Sequence, residues 1–333
     1  MNPGLKKIIS EFPGKEVLIW GDFILDEYVY TSTGRVSREA PVLVTEFEKR
    51  VILLGGAGNV LMNLLGVGAD PFPVGLIGDD DAGHELRLLL EEKGVSVDGL
   101  ITVPGFKTPQ KSRILSGGEN TRKQQILRID ALNRSVLPAA TFSSLAMILR
   151  KKLEPGTSMI ISDYLSQSVQ SEIFQELRRE FSHNLVCTDS RRHLLALTGT
   201  TIATPNEPEL KNCFPHLGFM VEEDFYYAGR LLQEQLRSRG LILKRGHKGM
   251  IVFQQDLDPV KIDIYGTSEI VDVTGAGDTV LAVLNLALQA GASLLAAATL
   301  ANIAGGIVVM KDGAYPIKYD ELFDAVEKTA FPV

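Results

Sequence analysis

The sequence DVTGAGDTVLAVLNLAL, from Asp272 to Leu288, is the most informative part of this chain. Two glycines and an alanine directly precede Asp278, and an apolar run typical of a buried helix follows it. Glycines let successive backbone N–H groups turn to one side, and a helix start adds unpaired N–H donors with a partial positive charge. The segment therefore predicts an anion-binding corner formed by Gly275, Ala276 and Gly277.

A carboxylate beside an anion site requires a reason, and Asp278 has a chemical one. It can accept a proton from a hydroxyl while the corner holds the phosphoryl group that the hydroxyl attacks. The alternative is a tight turn in which an acidic residue stabilises the helix dipole. Both interpretations stay open on these residues alone, and the first predicts a kinase that acts on an alcohol.

Composition limits the class of protein. The chain has 333 residues, 45% of them hydrophobic and 23% charged, which is typical of soluble globular proteins of one large or two small domains. A net charge of -7 argues against nucleic acid or an anionic membrane as the main partner. Two cysteines without metal-binding spacing predict no disulfide framework. With neither a signal peptide nor a long apolar span, we expect a cytoplasmic protein.

Strand and helix patterns alternate along most of the chain. Apolar strands are predicted at 17–21, 72–77, 158–163, 184–188, 201–203, 241–244 and 250–253, and helices at 59–65 and 82–93. This alternation predicts an α/β fold with a mostly parallel sheet covered on both faces. Ligands of such sheets bind beyond the carboxyl ends of the strands.

Two stretches, 27–50 and 108–130, break this alternation. Their polar and apolar residues alternate, as in Val42 to Phe47 and Lys111 to Leu115, which predicts antiparallel strands outside the main sheet. They would form either a small flap over an active site or a plain edge hairpin.

Several polar segments follow predicted strands. Asp22 and Asp26 come after the first strand, where a carboxylate could bind two sugar hydroxyls or cap a turn. The run Gly55-Gly56-Ala57-Gly58-Asn59 opens a helix and would let a polar ligand contact the backbone.

Two further segments could serve a nucleotide. Asn206 and Glu209 suit Mg²⁺ bound through water, although they equally fit a helix that begins with a proline and an Asn cap. The run from Lys244 to Gly249 could be a hairpin turn, and its glycines and positive charges could flank phosphates.

Several common enzyme signatures are absent from the sequence. It contains no P-loop, no dinucleotide fingerprint after a strand, no protein-kinase catalytic loop and no nucleophile elbow. Its five histidines show no metal-ligand spacing.

Together these motifs resemble the ribokinase-like (PfkB) carbohydrate kinases over nearly the whole chain. Gly55 to Asn59 resembles the N-terminal glycine signature of that family, Asp272 to Asp278 its C-terminal signature, and Asn206 with Glu209 its magnesium motif. The resemblance implies a single kinase domain over 1–333, with a three-layer α/β/α fold, a mostly parallel central sheet and a small β-strand lid. It also implies ATP and Mg²⁺ as cofactors, and by analogy a homodimer through the lid.

The resemblance implies a role for each matching residue. Asp278 would be the base, and Gly275, Ala276 and Gly277 the anion hole. The sugar would be bound by Asp26, Gly55, Gly56, Asn59 and Arg128. The ATP site would contain Asn206, Lys244, Gly246, Gly249 and Asn302. Mg²⁺ would be held through water by Asn206 and Glu209, and Asp272 and Thr274 lie where some relatives bind a monovalent cation such as K⁺.

Within the family the chain resembles the kinases that phosphorylate O1 of D-glycero-D-manno-heptose 7-phosphate for ADP-heptose and lipopolysaccharide synthesis. This likeness rests on residues 21–28, 35–42, 124–130 and 162–164, and departs from the heptose-kinase pattern at 116–123, 166–167 and 189–191. The alternatives are another PfkB kinase, acting on fructose, ribose, a nucleoside or another sugar phosphate, and a non-catalytic sensor. A phosphorylated substrate predicts a cation cluster, for which Arg35, Arg38, Lys111, Arg113 and Arg128 are candidates.

Overall fold

The computed structural model describes residues 3–118, 123–133, 135–266 and 271–328. The helices are α1 Pro3–Ser10, α2 Ala57–Gly66, α3 Asp81–Glu92, α4 Ala139–Lys152, α5 Ser171–Glu180, α6 Glu207–Cys213, α7 Glu222–Leu236, α8 Ala276–Gln289, α9 Leu294–Val308 and α10 Tyr319–Lys328. The strands are β1 Glu16–Gly21, β2 Phe23–Val36, β3 Leu43–Gly56, β4 Asp70–Gly78, β5 Leu100–Val103, β6 Gln110–Gly117, β7 Gln124–Ala131, β8 Ser158–Asp163, β9 Val186–Ser190, β10 Ile202–Ala203, β11 Gly240–Lys244, β12 Met250–Gln254 and β13 Val260–Ile262.

The central sheet has the strand order β13-β12-β11-β10-β9-β8-β1-β4-β5. Neighbours from β11 to β5 pair in parallel, while β12 and β13 add an antiparallel edge. The predicted mostly parallel sheet is confirmed. The segment from Lys244 to Gly249 connects the antiparallel pair β11 and β12, as the hairpin interpretation predicted.

Helices cover both faces of this sheet. Along β1, Val17 and Ile19 pack in a core cluster with α2, α8 and α9, whereas Leu18 and Trp20 pack in a second cluster with α4 and α5. Successive side chains of a strand point to opposite faces, so a strand covered on both sides must be apolar throughout. This explains the unbroken apolar run and gives the three-layer α/β/α arrangement.

A second sheet, which we call the lid, has the order β3-β2-β6-β7. Its strands reach from Phe23 to Gly56 and from Gln110 to Ala131, so the first hairpin is longer than predicted. Part of the predicted long turn, residues 119–122, lies outside the described residues. β2 pairs with β3 and β6 with β7 antiparallel, but β2 and β6 are parallel.

The antiparallel strands predicted in the two stretches are therefore confirmed within each stretch, and the two stretches meet through a parallel pair, β2 with β6. β2 follows β1 and β6 follows β5, and β1 and β5 run in the same direction in the central sheet. Both chain segments consequently leave from the same edge and meet side by side as a parallel pair.

The lid returns to the central sheet at a glycine pair. Gly56 adopts φ 58° and ψ -130°, and a Cβ atom on it would lie 2.5 Å from the carbonyl oxygen of Asp22. Only glycine fits this turn into α2.

Within the described ranges, no helix is both long and apolar enough to cross a lipid bilayer.

Candidate active site

Helix α8 begins where the glycine signature predicted. Its N-cap, Gly275, has a left-handed backbone with φ 79°, and a Cβ atom there would lie 2.3 Å from Nδ2 of Asn59. Asp278 is the third residue of the helix and is only 5% exposed. The glycine turn therefore brings a buried carboxylate to a helix N-terminus whose first N–H groups lack intrahelical partners.

Both carboxylate oxygens of Asp278 accept a hydrogen bond. Asn59 Nδ2 donates to Oδ2 over 2.8 Å, and the Tyr164 hydroxyl donates to Oδ1 over 2.9 Å. Burial, together with the charge of Asp189, raises the pKa of Asp278 to about 6, while the two hydrogen bonds and Lys244 oppose this rise. A carboxylate with a pKa near neutrality suits a general base.

The position of Asn59 relative to Asp278 is fixed by a buried polar contact between α2 and α8. The Thr279 hydroxyl donates to Oδ1 of Asn63 over 2.8 Å, and the Ile317 N–H donates to the same oxygen over 3.0 Å. Asn63 in turn donates to the carbonyl oxygen of Asn59 over 2.8 Å. Each of these buried groups has a partner, so the network fixes a single packing of the two helices.

Two cavities meet at this helix start. The larger, of about 640 Å³, is lined by polar residues that include Asp278, Gly275, Asn206, Glu209 and Arg128. The smaller, of about 240 Å³, is lined by Ala276, Gly246, Gly249, Asn302 and apolar side chains. Asn206, Lys244 and Gly277 belong to both walls. The geometry thus offers two compartments joined beside Asp278.

Lys244 lies at the junction. Its Nζ donates to Oδ2 of Asp189 over 2.6 Å, and a Cβ atom on Gly277 would lie 3.2 Å from that Nζ. Burial alone would lower the pKa of Lys244, but the charges of Asp189 and Glu209 outweigh it and raise the pKa. A permanent cation therefore faces the backbone corner of α8, where it could neutralise a phosphoryl group in transit.

Asn206 and Glu209 form a reciprocal cap at the start of α6. Asn206 Oδ1 accepts from the Glu209 N–H over 2.9 Å, and Glu209 Oε2 accepts from the Asn206 N–H over 2.8 Å. The helix-cap interpretation of these side chains is therefore confirmed. Their role toward Mg²⁺ stays a prediction.

The chemistry of these donors fits a hydrated cation. Burial, and then the charge of Asp189, raises the pKa of Glu209 to about 7. Oδ1 of Asp189 is buried and has no hydrogen-bond partner within the described residues. Among those residues, no group of three or more His, Cys, Asp or Glu could cage a metal. Mg²⁺ keeps much of its water, so it could satisfy these oxygens without a protein cage.

The smaller cavity has mostly apolar walls with a few fixed polar groups. Gly249 has φ 79°, and a Cβ atom there would lie 2.0 Å from the Ile262 carbonyl oxygen. Asn302 Nδ2 donates to the Asp263 carbonyl oxygen over 2.8 Å, which fixes its side chain at the wall. Met250, Ile264 and other apolar side chains supply the remaining surface. Apolar walls with a few fixed polar groups are typical of ligand sites.

The predicted sugar-binding carboxylate has a protein partner. Oδ1 of Asp26 accepts from Arg113 over 2.6 Å, and a Cβ atom on Gly55 would lie 2.0 Å from Oδ2. Gly55 is therefore needed to accommodate this carboxylate. Among the described residues, the walls of the two cavities do not include Asp26, Gly55, Gly56 or Asn59. Of these four, Asn59 is the one bonded to Asp278, and their sugar-binding roles stay predictions.

Cations line the larger cavity from two sides. Of the predicted cluster, Lys111 and Arg128 line it, with Arg128 ion-paired to Asp130 at 2.6 Å. Arg191 and Arg192, which the sequence did not single out, also line it. The other three candidates stay outside its described walls, namely Arg35, Arg38 and Arg113. In the part of the chain that the structure describes, Lys111, Arg191 and Arg192 have no carboxylate partner.

The predicted monovalent-cation segment is held by backbone contacts. Oδ1 of Asp272 accepts from the Thr274 N–H over 2.8 Å, and Oδ2 accepts from the Gly313 N–H over 3.2 Å. The carboxylate thus shapes the turn before α8. A cation at Asp272 and Thr274 stays a prediction.

Sequence reasoning missed two residues that contact the central groups. Tyr164 follows β8 and binds Asp278, and Asp189 lies in β9 and binds Lys244. Their signal was their position at the carboxyl ends of predicted parallel strands, where ligands bind.

Comparison with known proteins shows which family this chain is similar to. The family model described as pfkB family carbohydrate kinase matches residues 15–320 of this chain. Bifunctional protein HldE of Paramagnetospirillum magneticum is 34% identical over 96% of this chain and 65% of its own length, and that of Nitrosococcus oceani is 36% identical over 97% and 66%. The chain therefore spans about two thirds of the length of these relatives.

Solved structures share the fold at low identity. Escherichia coli phosphofructokinase-2 in complex with potassium has a TM-score of 0.75 at 18% identity, covering 94% of this chain and 98% of its own. Arabidopsis thaliana ribokinase complexed with ribose and ATP has a TM-score of 0.71 at 19% identity, covering 95% and 100%. These likenesses establish the ribokinase-like fold. Together with the family match over most of its length, they show that this chain belongs to the pfkB family of carbohydrate kinases.

Proposed function

We propose that this kinase transfers the γ-phosphoryl group of ATP to a hydroxyl of a phosphorylated sugar, namely O1 of D-glycero-D-manno-heptose 7-phosphate or a close analogue. The observation that carries this proposal is the buried Asp278 at the junction of a polar and an apolar cavity. ATP would fill the apolar cavity with its phosphates toward Lys244 and Gly277, and the sugar would fill the polar one.

Asp278 would accept the proton of the attacking hydroxyl. At its pKa of about 6 the carboxylate is mostly ionised at neutral pH and is still basic enough to take a proton. The N–H groups at the start of α8 and the Lys244 ammonium would stabilise charge on the transferred phosphoryl group. Magnesium held through water near Asn206 and Glu209 would supply further charge neutralisation. Positioning and electrostatics would provide most of the rate enhancement.

The cations of the larger cavity support a phosphorylated acceptor. Lys111, Arg191 and Arg192 line it without carboxylate partners among the described residues; Lys111 is half-buried, whereas Arg191 and Arg192 are exposed. Cations that converge on one cavity favour an anionic ligand there. Burial lowers the pKa of Lys111; the charge of Asp26 opposes this fall, while Arg191, Arg113 and Arg128 add to it, so an added phosphate would offset the repulsion among these cations. The resemblance to heptose 7-phosphate kinases selects the sugar.

An ADP-release assay with a panel of acceptors tests the proposal. Heptose 7-phosphate should give turnover, while fructose, ribose and a nucleoside should give none above the ATPase background. Phosphorylation of an unphosphorylated sugar with comparable kcat/KM would contradict the choice of acceptor. Absence of turnover with every acceptor would support the sensor alternative.

We also propose that two copies associate through the lid in the cytoplasm. The edge strand β7 exposes apolar side chains, with Ile126 46%, Leu127 53% and Ile129 55% exposed. On the neighbouring hairpin, Phe47 is 67% exposed. An unpaired apolar edge strand of this kind favours association. Sedimentation analysis should give a dimer that Leu127→Asp dissociates, and a monomeric wild type would contradict this proposal.

A further inference from the structure

Tyr164 occupies a special place beside the base. It follows β8, and its hydroxyl donates to Oδ1 of Asp278 while Asn59 binds Oδ2. Burial, and then the charges of Asp278 and Asp189, raises the pKa of the Tyr164 hydroxyl well above its ordinary value. The phenol therefore stays protonated and remains a hydrogen-bond donor throughout the working pH range.

The loop that carries Tyr164 is organised around one buried carboxylate. Oδ2 of Asp22 accepts from the N–H groups of Tyr164 over 2.8 Å and Ser166 over 2.9 Å, and Oδ1 accepts from Ser168 over 3.1 Å. The intervening residues, Leu165 and Gln167, have left-handed backbones with φ 69° and 73°. This alternation turns every second N–H group toward Asp22.

Such a backbone is costly for residues other than glycine. Left-handed positions at Leu165 and Gln167 persist only when surrounding contacts hold them, and strain of this kind concentrates at functional sites. Asp22 is fully buried and lines neither cavity within the described residues, so it acts on the loop and contacts no ligand there. What the strained loop fixes is the place of the Tyr164 ring.

Charged groups hold the ring itself from two further elements. Nζ of Lys111, on β6 of the lid, lies 5.2 Å from the ring centroid, and the guanidinium of Arg191, after β9, lies 4.4 Å from it. Cations at this distance from an aromatic ring are attracted to its face. The remaining charged groups that act on Asp278 are Asp189 of β9 and Lys244 of β11.

We infer that Tyr164 is a positioning residue for the base, held by the Asp22 loop and orienting the Asp278 carboxylate through its hydroxyl. Its hydrogen bond to Oδ1 and that of Asn59 to Oδ2 fix the plane of the carboxylate, so that the remaining lone pairs face the cavity. The kinetic consequence rests on the proposed kinase function, whereas the ordering of Asp278 can be measured without any substrate.

The first test follows the ionisation of Asp278 by carboxyl carbon NMR, with the signal assigned by its loss in Asp278→Asn. Tyr164→Phe keeps the ring between Lys111 and Arg191 but removes the hydroxyl. A hydrogen bond to an ionised group favours that form, so its loss should raise the titration midpoint by about one pH unit. Tyr227→Phe, an exposed tyrosine on α7, should leave it unchanged. Equal midpoints in Tyr164→Phe and wild type would overturn the inference.

The second test is kinetic. In Tyr164→Phe the apparent pKa of the acid limb in the pH profile of kcat/KM should rise by about one pH unit. In the same variant kcat at neutral pH should fall about tenfold, while the KM for ATP stays unchanged. Asp22→Asn should move the limb in the same direction, and if that variant does not fold, Tyr164→Phe decides alone. Turnover without a shifted limb refutes the inference but leaves the proposed function intact. A shifted NMR midpoint without turnover of any acceptor refutes the proposed function alone.

Discussion

Replacing Asp278 with asparagine should remove activity and at the same time change how stability depends on pH. Asparagine has the same shape but cannot accept the hydroxyl proton, and a general base contributes about 10²- to 10⁴-fold. We therefore expect kcat to fall by about that factor in the ADP-release assay, while ATP binding, measured by calorimetry, is kept.

The stability effect follows from the raised pKa. The folded-state pKa of Asp278 is about 6 against an ordinary 3.8, because burial disfavours the charged form. The folded state therefore binds the proton more tightly than the unfolded state, and the wild type loses stability as pH rises from below 4 through 6. The full difference of about two pKa units lowers the unfolding free energy by roughly 3 kcal/mol at high pH. About half of this loss has already occurred at pH 5.

Asp278→Asn lacks this titration. The amide also faces two donors, Asn59 and Tyr164, which adds a destabilising contribution that does not vary with pH. Comparing two pH values removes this constant. Between pH 5 and pH 8 the variant should gain about 1.5 kcal/mol relative to wild type, measured by urea unfolding.

A matched variant controls the measurement. Asp258→Asn, at an exposed position, should track the wild type at both pH values. If the unfolding free energy of Asp278→Asn changes between pH 5 and pH 8 by the same amount as that of the wild type, the carboxylate is not held in a desolvated site. If its kcat stays near that of wild type, Asp278 is not the base.

Three further perturbations have expected outcomes. Gly275→Ala forces a side chain onto a left-handed backbone and against Asn59, so kcat should fall about 10²-fold and the midpoint of thermal unfolding should drop; equal values would refute the need for glycine there. Lys244→Met should lower kcat. By leaving its half-buried partner Asp189 unpaired, it should also destabilise the fold by about 2–3 kcal/mol in urea titrations, and an unchanged midpoint would contradict a tight pair. Arg191→Ala should raise the KM for a phosphorylated sugar about tenfold or more and leave the KM for ATP unchanged. An equal rise in both KM values would show that Arg191 does not act specifically on the sugar phosphate.

Local sequence was sufficient to predict most strands of the central sheet and the helix start at Asp278. Buried strands such as β8 have an unbroken apolar centre, here Met159 to Ile161, because both faces are covered, so their pattern depends little on which strand lies next to them. The glycine signature before Asp278 is also local, since a left-handed residue at a helix N-cap requires glycine wherever the helix packs.

Strand pairing in the lid could not be predicted in the same way. The parallel pairing of β2 with β6 joins segments more than eighty residues apart, and alternating residues fit parallel and antiparallel neighbours equally. The same pairing brings Arg113 to Asp26, so a carboxylate that the sequence offered to a sugar has a protein partner.

By itself, the sequence determined that an acidic residue follows a glycine turn at a helix start, because backbone conformation there depends on neighbouring residues only. Tertiary structure alone decided what surrounds that acid. Tyr164, Asp189 and Lys244 reach it from the ends of β8, β9 and β11, and the order of those strands in the sheet sets their distances. The pKa of Asp278 depends on this burial and on these charges, which are properties of the packed molecule.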